Sequence, residues 1–217
     1  MNEEIRALIA HAASLGVELA ERAATQLSRY LDALNIENEA INLTAVRDRA
    51  SGLVLHVLDS VAIGAALFEA PRRALDLGTG NGFPGVAIAT LWPSAAVVLC
   101  DRTRKKIDAV GRCLAAAEIT CEAIWADADQ LAAQRPELQN AFDLVVARAV
   151  GDPVIVARSA QRLLARDGSL ALWLTAEDRP PVDLAGGLRR EGLYRYELPE
   201  PEARSRAIAV YRRTTRR

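Results

Sequence analysis

The residues best able to do chemistry lie in one stretch, where a short apolar run with one acid, Asp76, leads into the glycine-rich loop 78–85 (GTGNGFPG). Residues 86–91 continue at helical spacing, and residues 95–100 form an apolar run that closes on Asp101. Glycines allow a sharp backbone turn close to a ligand, and the start of a helix offers free N–H groups. An acid at the tip of the second strand can accept both hydroxyls of a ribose. The pattern therefore predicts a βαβ unit that binds a nucleotide.

Two details around this loop indicate which nucleotide it binds. The glycines spell GxGxxG, which also fits a dinucleotide site. However, Asp76 lies two residues before the first glycine, where a dinucleotide site needs no anion beside its pyrophosphate. A carboxylate there suits a cationic ligand, such as the ammonium or sulfonium group of S-adenosylmethionine, and Phe83 and Pro84 crowd the turn that a pyrophosphate would occupy. We expect the methyl donor, with a dinucleotide or a purely structural glycine turn as the alternatives.

Composition limits the class of protein. The 217 residues are 51% apolar and 25% charged, which is ordinary for one well-buried domain with an appendage. The cysteines and histidines show no metal-ligand spacing, so we expect no metal site and no disulfide framework; they are Cys100, Cys113, Cys121, His11 and His56. The chain has no apolar run near about 18 residues and begins with polar residues, not a signal peptide. We therefore expect a soluble, cytoplasmic monomer that does not enter a membrane.

Charge is unevenly distributed along the chain. The net charge is −1, which argues against a molecule that is basic throughout. Residues 1–70 carry ten acids and five bases, whereas residues 204–217 carry six arginines and no acid. A second basic cluster covers residues 102–106, just after Asp101. Each basic run alone is typical of a solvated surface, but two of them beside a nucleotide site leave room for a polyanionic substrate.

The first seventy residues are predicted to be helical. Apolar residues recur at helical spacing over residues 3–37, with a break at Gly16 and an end at residues 35–38. A polar turn then leads into a further helix over residues 53–68. We therefore predict a helical cap over residues 1–70 and a nucleotide-binding domain over residues 71–217.

Strands and helices alternate after Asp101. The predicted strands cover residues 121–126, 142–150, 169–175, 193–198 and 207–213. The predicted helices cover residues 103–117, residues 153–165 and a stretch that starts at Pro180. The second of these helices would carry Arg158, Arg162 and Arg166 on one stripe. No helix separates the last two strands, so they should form an antiparallel edge. The fold class is therefore α/β, a Rossmann-like, mostly parallel, seven-stranded sheet with helices on both faces, which is the common methyltransferase plan. The carboxyl ends of its strands hold Asp101, the segment 127–129 and Arg148, where such sheets bind ligands.

Four motifs together resemble a known family. They are residues 42–48 (NLTAVRD), 56–60 (HVLDS), 76–85 (DLGTGNGFPG) and 147–149 (ARA), in that order. The chain resembles the ribosomal RNA small subunit methyltransferase G family, also called the glucose-inhibited division protein B family. The resemblance covers about residues 15–175 and is specific because the glycine loop is joined to the other three motifs.

The resemblance implies methyl transfer from S-adenosylmethionine to N7 of one guanine in 16S rRNA of the small ribosomal subunit. It places Gly78 and Phe83 against the cofactor, Ala128 and Asp129 beside the adenine, and Arg148 near cofactor and target. With the residues argued from chemistry, the expected cofactor-binding set is Asp76, Gly78, Thr79, Gly80, Gly82, Phe83, Asp101, Ala128, Asp129 and Arg148. The expected substrate-side residues are Asn42, Arg47, His56, Arg102 and Arg104.

The chemistry implied suits a chain with few catalytic side chains. Guanine N7 carries an in-plane lone pair and no proton, so the enzyme must align groups and control charge rather than supply a base. Arg148 is the candidate catalytic residue, binding a phosphate or O6 of the base, with a structural ion pair as its alternative. His56 is expected to be structural, and Asp59 and Asn42 to brace the helical cap against the glycine loop. The target base must leave its stack to enter the site.

Two positions depart from the family pattern. Leu174-Thr175 stands where the family has Lys-Gly at the end of the fifth strand, and Asp127 stands where it often has arginine. Both differences remove positive charge from the expected RNA-facing rim. Two other functions therefore stay open: a methyltransferase with a smaller or less anionic substrate, and a non-catalytic module that binds cofactor or RNA.

Overall fold

A computed structural model describes residues 1–67, 69–149 and 151–213, and its first two helices follow the predicted apolar spacing. Helix α1 spans Glu3–Ser14, and its N-terminus is capped by the side chain of Asn2, which accepts a hydrogen bond from the backbone of Ile5 at 2.8 Å. Helix α2 spans Glu21–Ile41. It therefore ends later than the predicted 35–38, because Asn38 is buried inside the helix and its amide accepts from the backbone N–H of the following turn.

The third helical stretch is not uniform. It contains α3 (Arg49–Gly52), a π-helix (Leu53–Leu58), α4 (Asp59–Val61) and α5 (Ile63–Ala66); Phe68, the predicted end, lies outside the described residues. By length and composition the 18 residues 49–66 could cross a membrane, with a mean hydropathy of 1.2, so our expectation that no such run exists is wrong. Because 61% of this segment is buried inside the protein, its apolar residues are accounted for by the core.

The sheet has eight strands in the order β3-β2-β1-β4-β5-β8-β7-β6. Its strands are β1 (Arg73–Leu77), β2 (Ala96–Asp101), β3 (Glu122–Trp125), β4 (Phe142–Arg148), β5 (Leu164–Thr175), β6 (Asp183–Leu184), β7 (Leu188–Leu198) and β8 (Arg204–Arg213). Strands β1 to β5 pair in parallel, and β6, β7 and β8 form the predicted antiparallel edge. The strand order reverses between β1 and β4, which is where open α/β sheets bind ligands. The predicted seven-stranded plan is confirmed with one addition, the two-residue β6.

Four helices connect the parallel strands. They are α6 (Gly85–Leu91), α7 (Arg104–Ala116), α8 (Ala128–Gln134) and α9 (Pro153–Ala160). Short 3-10 turns occupy Pro136–Leu138 and Ala185–Gly187.

Of two helices predicted near the C-terminus, one is shorter than predicted and the other is absent. The helix predicted over 153–165 ends at Ala160, and Arg162 and Arg166 lie outside it, because Leu164 already pairs with Phe142 in the sheet. The helix predicted from Pro180 is replaced by β6 and β7, where Leu184 pairs with Leu188 and both side chains are buried. Val150, the predicted end of the fourth strand, lies outside the described residues.

The core has one hydrophobic cluster on each face of the sheet. Neighbouring residues of one strand divide between them: Leu144 and Val146 join the cluster with α1, α2, α6 and α7, whereas Val145 joins the cluster with α8 and α9. Alternation of this kind is what a sheet buried on both faces requires. The helical segment before β1 shares its core with the sheet, and its division from residues 71–217 as a cap stays a prediction.

Candidate functional site

A cavity of about 780 Å³ opens at the carboxyl ends of the parallel strands, beside the point where the strand order reverses. We call one wall of it the loop side; it consists of the glycine loop 78–85, Asp101 and the segment 127–129. We call a second part of the lining the arginine side; it consists of Asp59, Arg148 and Arg206. The volume falls within the range of small-ligand sites.

The glycine loop is fixed to the end of β2 by its backbone. The N–H groups of Gly78 and Thr79 both donate to the backbone oxygen of Cys100, at 2.8 and 2.9 Å. Gly82 has a φ of 96°, and a Cβ there would lie 2.0 Å from the hydroxyl oxygen of Tyr30. Tyr30 is fully buried and donates to the backbone oxygen of Asn81 at 2.9 Å. The loop therefore requires glycine at position 82 to let α2 approach.

Asp76 holds the loop from below. Its Oδ2 accepts from the hydroxyl of Thr79 at 2.7 Å and from the backbone N–H of Gly85 at 2.8 Å. Its Oδ1 is the one buried side-chain nitrogen or oxygen without a hydrogen-bond partner in the part of the chain that the structure describes. Burial raises the pKa of Asp76 to about 6. The carboxyl group thus has one oxygen that organises the turn and one that is buried and unpaired, and Asp76 lies behind the residues that line the cavity.

Asp101 lies at the tip of β2 and lines the cavity. Its Oδ2 accepts from the backbone N–H of Gly80 at 3.0 Å, and its Oδ1 accepts from that of Thr103 at 2.8 Å. Each carboxylate oxygen has a further lone pair. Asp101 is therefore fixed in orientation yet able to accept hydroxyl groups from a ligand.

The predicted adenine segment also lines the cavity. Ala128 and Asp129 begin α8, and Asp127 caps this helix by accepting from the backbone N–H of Asp129 at 3.0 Å. Ser159 of α9 donates its hydroxyl to Asp129. Asp127, which departs from the family pattern, is therefore a structural cap as well as a lining residue.

Phe83 and His56 connect the loop to the π-helix. Phe83 is buried, and its ring stacks on the His56 ring with centroids 6.0 Å apart and an interplanar angle of 15°. The His56 nitrogens lie 3.3 Å from the Asn81 amide and 3.0 Å from the Thr44 hydroxyl. Burial, and then the charge of Arg148, lowers the pKa of His56 to about 4. His56 is thus a neutral hydrogen-bonding residue, and together with Tyr30 it makes the contact between helical segment and loop.

Arg148 ends β4 and reaches across to the helical segment. Its Nη1 donates to the backbone oxygen of Leu55 at 2.9 Å, to Asp59 Oδ2 at 3.1 Å and to the Ser60 hydroxyl at 3.1 Å. Its Nη2 donates to the backbone oxygen of Phe83 at 3.4 Å. Leu55 lies within the π-helix, a type of local widening that is frequent at functional sites. Both terminal nitrogens of Arg148 are therefore engaged by the protein itself.

Asp59 is the centre of the arginine side. Besides Arg148, it accepts from Arg206 Nε and Nη2 at 3.1 and 3.2 Å and from the Tyr196 hydroxyl at 2.6 Å. Its backbone oxygen accepts from the indole of Trp173 at 2.8 Å. Burial opposes ionisation, but the two guanidinium groups hold the pKa of Asp59 below its ordinary value. Asp59 was expected to brace the helical cap against the glycine loop; its contacts instead join the helical segment to β4, β5, β7 and β8.

Asn42 and Arg47, two expected substrate-side residues, lie beside the cavity, whose wall includes the nearby Val46. Asn42 ends α2 with a left-handed backbone, φ 51°, and its Oδ1 accepts from Arg47 at 2.8 Å. Arg47 also donates to the backbone oxygen of Asn38 at 3.3 Å. The contact found for Asn42 is thus with Arg47, and the turn is held by Asn38, which accepts from the backbone of Thr44 at 2.9 Å.

Arg102 and Arg104 differ in position. Arg102 lines the cavity, whereas the Arg104 guanidinium lies 5.4 Å from the ring centroid of Trp125. Trp125 is 57% exposed, and its indole N–H donates to the backbone oxygen of Arg102 at 2.9 Å. Lys106 also lines the cavity. The basic cluster therefore continues from the cavity onto an exposed aromatic ring.

The sequence alone did not single out Arg206, although it lines the cavity with Arg204. Arg206 pairs with Thr175 across β5 and β8, so strand pairing places a guanidinium beside the position where we noted a missing cation. The alternation of β8 would have put Arg204 and Arg206 on one face, but only the pairing register identifies that face. Among the described residues, no group of three His, Cys, Asp or Glu side chains could hold a metal ion.

The comparisons with known proteins agree with this geometry. A SAM-dependent methyltransferase from Aquifex aeolicus has a similar structure, with a TM-score of 0.56 and 16% identity over 77% of this chain and 95% of that one. The fold is therefore the Rossmann-like fold of methyltransferases.

Residues 23–178 match the family model described as rRNA small subunit methyltransferase G. Two relatives bear the name ribosomal RNA small subunit methyltransferase G. The relative from Anaeromyxobacter dehalogenans is 34% identical over 92% of this chain and 93% of its own length. The relative from Chloroflexus aggregans is 30% identical over 85% of this chain and 76% of its own length. This chain belongs to the ribosomal RNA small subunit methyltransferase G family.

Proposed function

We propose that this protein transfers a methyl group from S-adenosylmethionine to ribosomal RNA of the small subunit, at N7 of one guanine in 16S rRNA. Membership of the family supports the reaction class and the RNA substrate. The observation on which the proposal rests is the free Oδ1 of Asp76, a buried acceptor beneath a glycine loop at the switch point of the sheet. A free buried carboxylate oxygen is costly unless a donor or cation meets it.

The residues of the loop side fit S-adenosylmethionine. Asp76 supplies negative charge for a cationic group, and Asp101 has spare lone pairs for the ribose hydroxyls. We assign the remaining cofactor contacts to Gly78, Thr79, Gly80, Phe83, Ala128 and Asp129, with Arg148 at the end nearest the substrate. Gly82, also expected there, does not line the cavity and packs against Tyr30 instead. When bound, the cofactor supplies a methyl group on a positively charged sulfur, which a nitrogen lone pair can accept without releasing a proton.

This reaction requires no general base, and His56 is not placed to act as one. His56 is neutral and occupied by Asn81 and Thr44. We assign Arg148 the role of a positioning residue, because it joins β4, the π-helix and the loop at Phe83. Its contribution to rate is the alignment of the two reacting groups.

The RNA-facing surface is assigned to the mouth of the cavity. Arg102 and Arg104 provide positive charge there, with Arg47 and Asn42 beside it, and Trp125 offers an exposed ring on which an unstacked base can lie. We propose that a monomer in the cytoplasm acts on 16S rRNA or on the assembled small subunit, without a metal and without a membrane.

The test is to map N7-methylguanine in small-subunit rRNA from cells with and without this gene. We expect one modification to disappear in the deletion strain and to return with the wild-type gene. Complementation with Arg148→Ala should restore far less, while Arg158→Ala, an exposed arginine on α9, should restore it fully. An identical modification pattern with and without the gene would refute the rRNA assignment and leave the fold unaffected.

The other two functions make different predictions for the purified protein. An rRNA enzyme should bind RNA with steep salt dependence, whereas an enzyme for a small acceptor should show little. A non-catalytic module should bind the cofactor and methylate neither RNA nor small acceptors.

A further inference from the structure

The arginine side carries more positive charge than the protein neutralises. Arg148 and Arg206 share one carboxylate, that of Asp59, and their side chains are only 12% and 20% exposed. The Tyr196 hydroxyl adds a neutral donor to the same carboxylate. A cluster of two guanidinium groups and one carboxylate retains one positive charge. Because this charge is partly buried, an anion bound beside it would stabilise it strongly.

Arg148 and Arg206 differ in how many of their N–H groups are hydrogen-bonded to the protein. The protein engages both terminal nitrogens of Arg148, through Leu55, Asp59, Ser60 and Phe83. Arg206 uses only Nε and one N–H of Nη2, both for Asp59. Within the described residues, Nη1 of Arg206 makes no hydrogen bond, and the Tyr196 hydroxyl is the other polar group beside this guanidinium. Since Arg206 lines the cavity, the donors on Nη1 are available to a ligand.

The position of Arg206 in the sheet indicates which ligand. Arg206 lies on β8, separated from the glycine loop after β1 by β4 and β5. Its side chain meets Arg148 on Asp59, and Arg148 in turn contacts the glycine loop at Phe83, so Arg206 lies beyond Arg148 as seen from the loop. The groups that suit a nucleoside cofactor, Asp101 and Asp129, lie over β2 and β3, in the opposite direction. An anion at Arg206 is therefore on the substrate side of the reacting groups.

We propose that Arg206 forms an anion subsite for a phosphate group of the RNA substrate, next to the base that is methylated. This assignment rests on the proposed function and specifies where the substrate backbone lies. The planar fork of arginine suits a phosphate while its other edge stays on Asp59. Arg204, on the same face of β8 and half exposed, also lines the cavity but is paired with Glu202, so Arg206 is the arginine of β8 assigned to the anion.

The test compares Arg206→Gln with Arg212→Gln, which removes the same charge from the same strand. Arg212 pairs with Glu191 at 3.2 Å and is 47% exposed. The probe is 16S rRNA isolated from a strain that lacks the gene, titrated with the full chain at several salt concentrations. We expect Arg206→Gln to weaken RNA binding about tenfold. The salt slope, by which we mean the steepness of log affinity against log salt concentration, should fall by about 0.7 to 1. Calorimetry with S-adenosylmethionine should give an affinity within about twofold of wild type, and Arg212→Gln should match wild type in both assays.

Three outcomes would overturn the subsite. The first is a folded Arg206→Gln protein whose RNA affinity depends on salt as steeply as that of wild type. The second is a loss of affinity for S-adenosylmethionine instead of RNA, which would mean that Arg206 binds the carboxylate of S-adenosylmethionine. The third is a wild-type protein that does not bind the RNA, which would refute the proposed function itself. If Arg206→Gln fails to fold, Arg206→Lys keeps a charge on Asp59 without the fork. It should still lose most of the RNA affinity, and wild-type affinity in that variant would count against the proposal.

Discussion

The two walls of the cavity are built in different ways. The loop side is centred on the continuous glycine loop 78–85, whose backbone groups make contacts such as those of Gly78 and Thr79 with Cys100. The arginine side consists of side chains from distant parts of the chain, because Asp59, Arg148 and Arg206 meet only in the folded sheet. The first arrangement suits a ligand that is always the same, whereas the second combines charge from several elements and suits a large substrate.

The largest expected effect comes from breaking the arginine side at its centre. Asp59→Ala leaves two guanidinium groups partly buried without a carboxylate, so the free energy of unfolding should fall by about 3 to 5 kcal/mol. Urea denaturation followed by circular dichroism measures this value.

The matched control is Asp32→Ala in α2, another aspartate paired with an arginine, Arg49, but 59% exposed. Its effect should stay below about 1 kcal/mol. Equal effects from the two variants would show that the arginine side is not a buried ionic cluster that holds the helical segment to the sheet.

The stability of the loop side should depend on backbone geometry and not on charge. Gly82→Ala places a methyl group against the fully buried Tyr30 and forces a φ of 96° on alanine, so unfolding free energy should fall by about 2 to 4 kcal/mol. Gly111→Ala is the control, since Gly111 lies in α7 with open space around it. That change should raise stability by up to about 1 kcal/mol. A neutral result for Gly82→Ala would mean that α2 does not fix the loop.

This difference in construction also explains what could be predicted from the sequence. The residues of the loop side, including Asp76 and Asp101, were found because a local turn and the next strand tip are readable from spacing. Arg206 was missed because its place depends on its pairing with Thr175, a non-local register. The helix predicted from Pro180 failed for a related reason, since pairing of Leu184 with Leu188 in the sheet outweighs local signals.

The π-helix is a further feature that spacing did not reveal. Its apolar residues fit an ordinary helix, and the prediction over residues 53–68 was helical throughout. What distinguishes it is the backbone oxygen of Leu55, which accepts from Arg148. A bond to a residue 93 positions away leaves no trace in local periodicity.

A smaller effect should appear in the pH dependence of cofactor binding. Burial raises the pKa of Asp76 to about 6, and a cation binds the ionised form more tightly. Affinity for S-adenosylmethionine should therefore rise with pH by up to about tenfold per unit below pH 6 and level off above it. The contribution of Asp76 to folding has the opposite sign: it is present below about pH 4 and lost as the pH rises through about 6.

Asp76→Asn is the control for this titration, because an amide oxygen can still accept from Thr79 and Gly85. Calorimetry between about pH 5 and about pH 7.5 should show a flat and weaker profile for that variant. A wild-type profile that is equally flat would mean that the free oxygen of Asp76 does not meet a cation, and the loop side would then bind through Asp101 and the backbone alone.

The smallest effect tests whether the loop side also touches the RNA. Arg102 lines the cavity and is exposed, so Arg102→Gln should remove one weak phosphate contact and reduce RNA affinity by about two- to threefold at moderate salt. Arg112→Gln in α7 is the control, because Arg112 is similarly exposed but bound to Glu37 at 2.6 Å, away from the cavity. If Arg102→Gln reduces RNA affinity as much as Arg206→Gln does, the division of labour between the two walls is wrong, and the substrate backbone crosses the cofactor wall as well. If Arg102→Gln has no effect, RNA is held by the arginine side, and the loop side is reserved for the methyl donor.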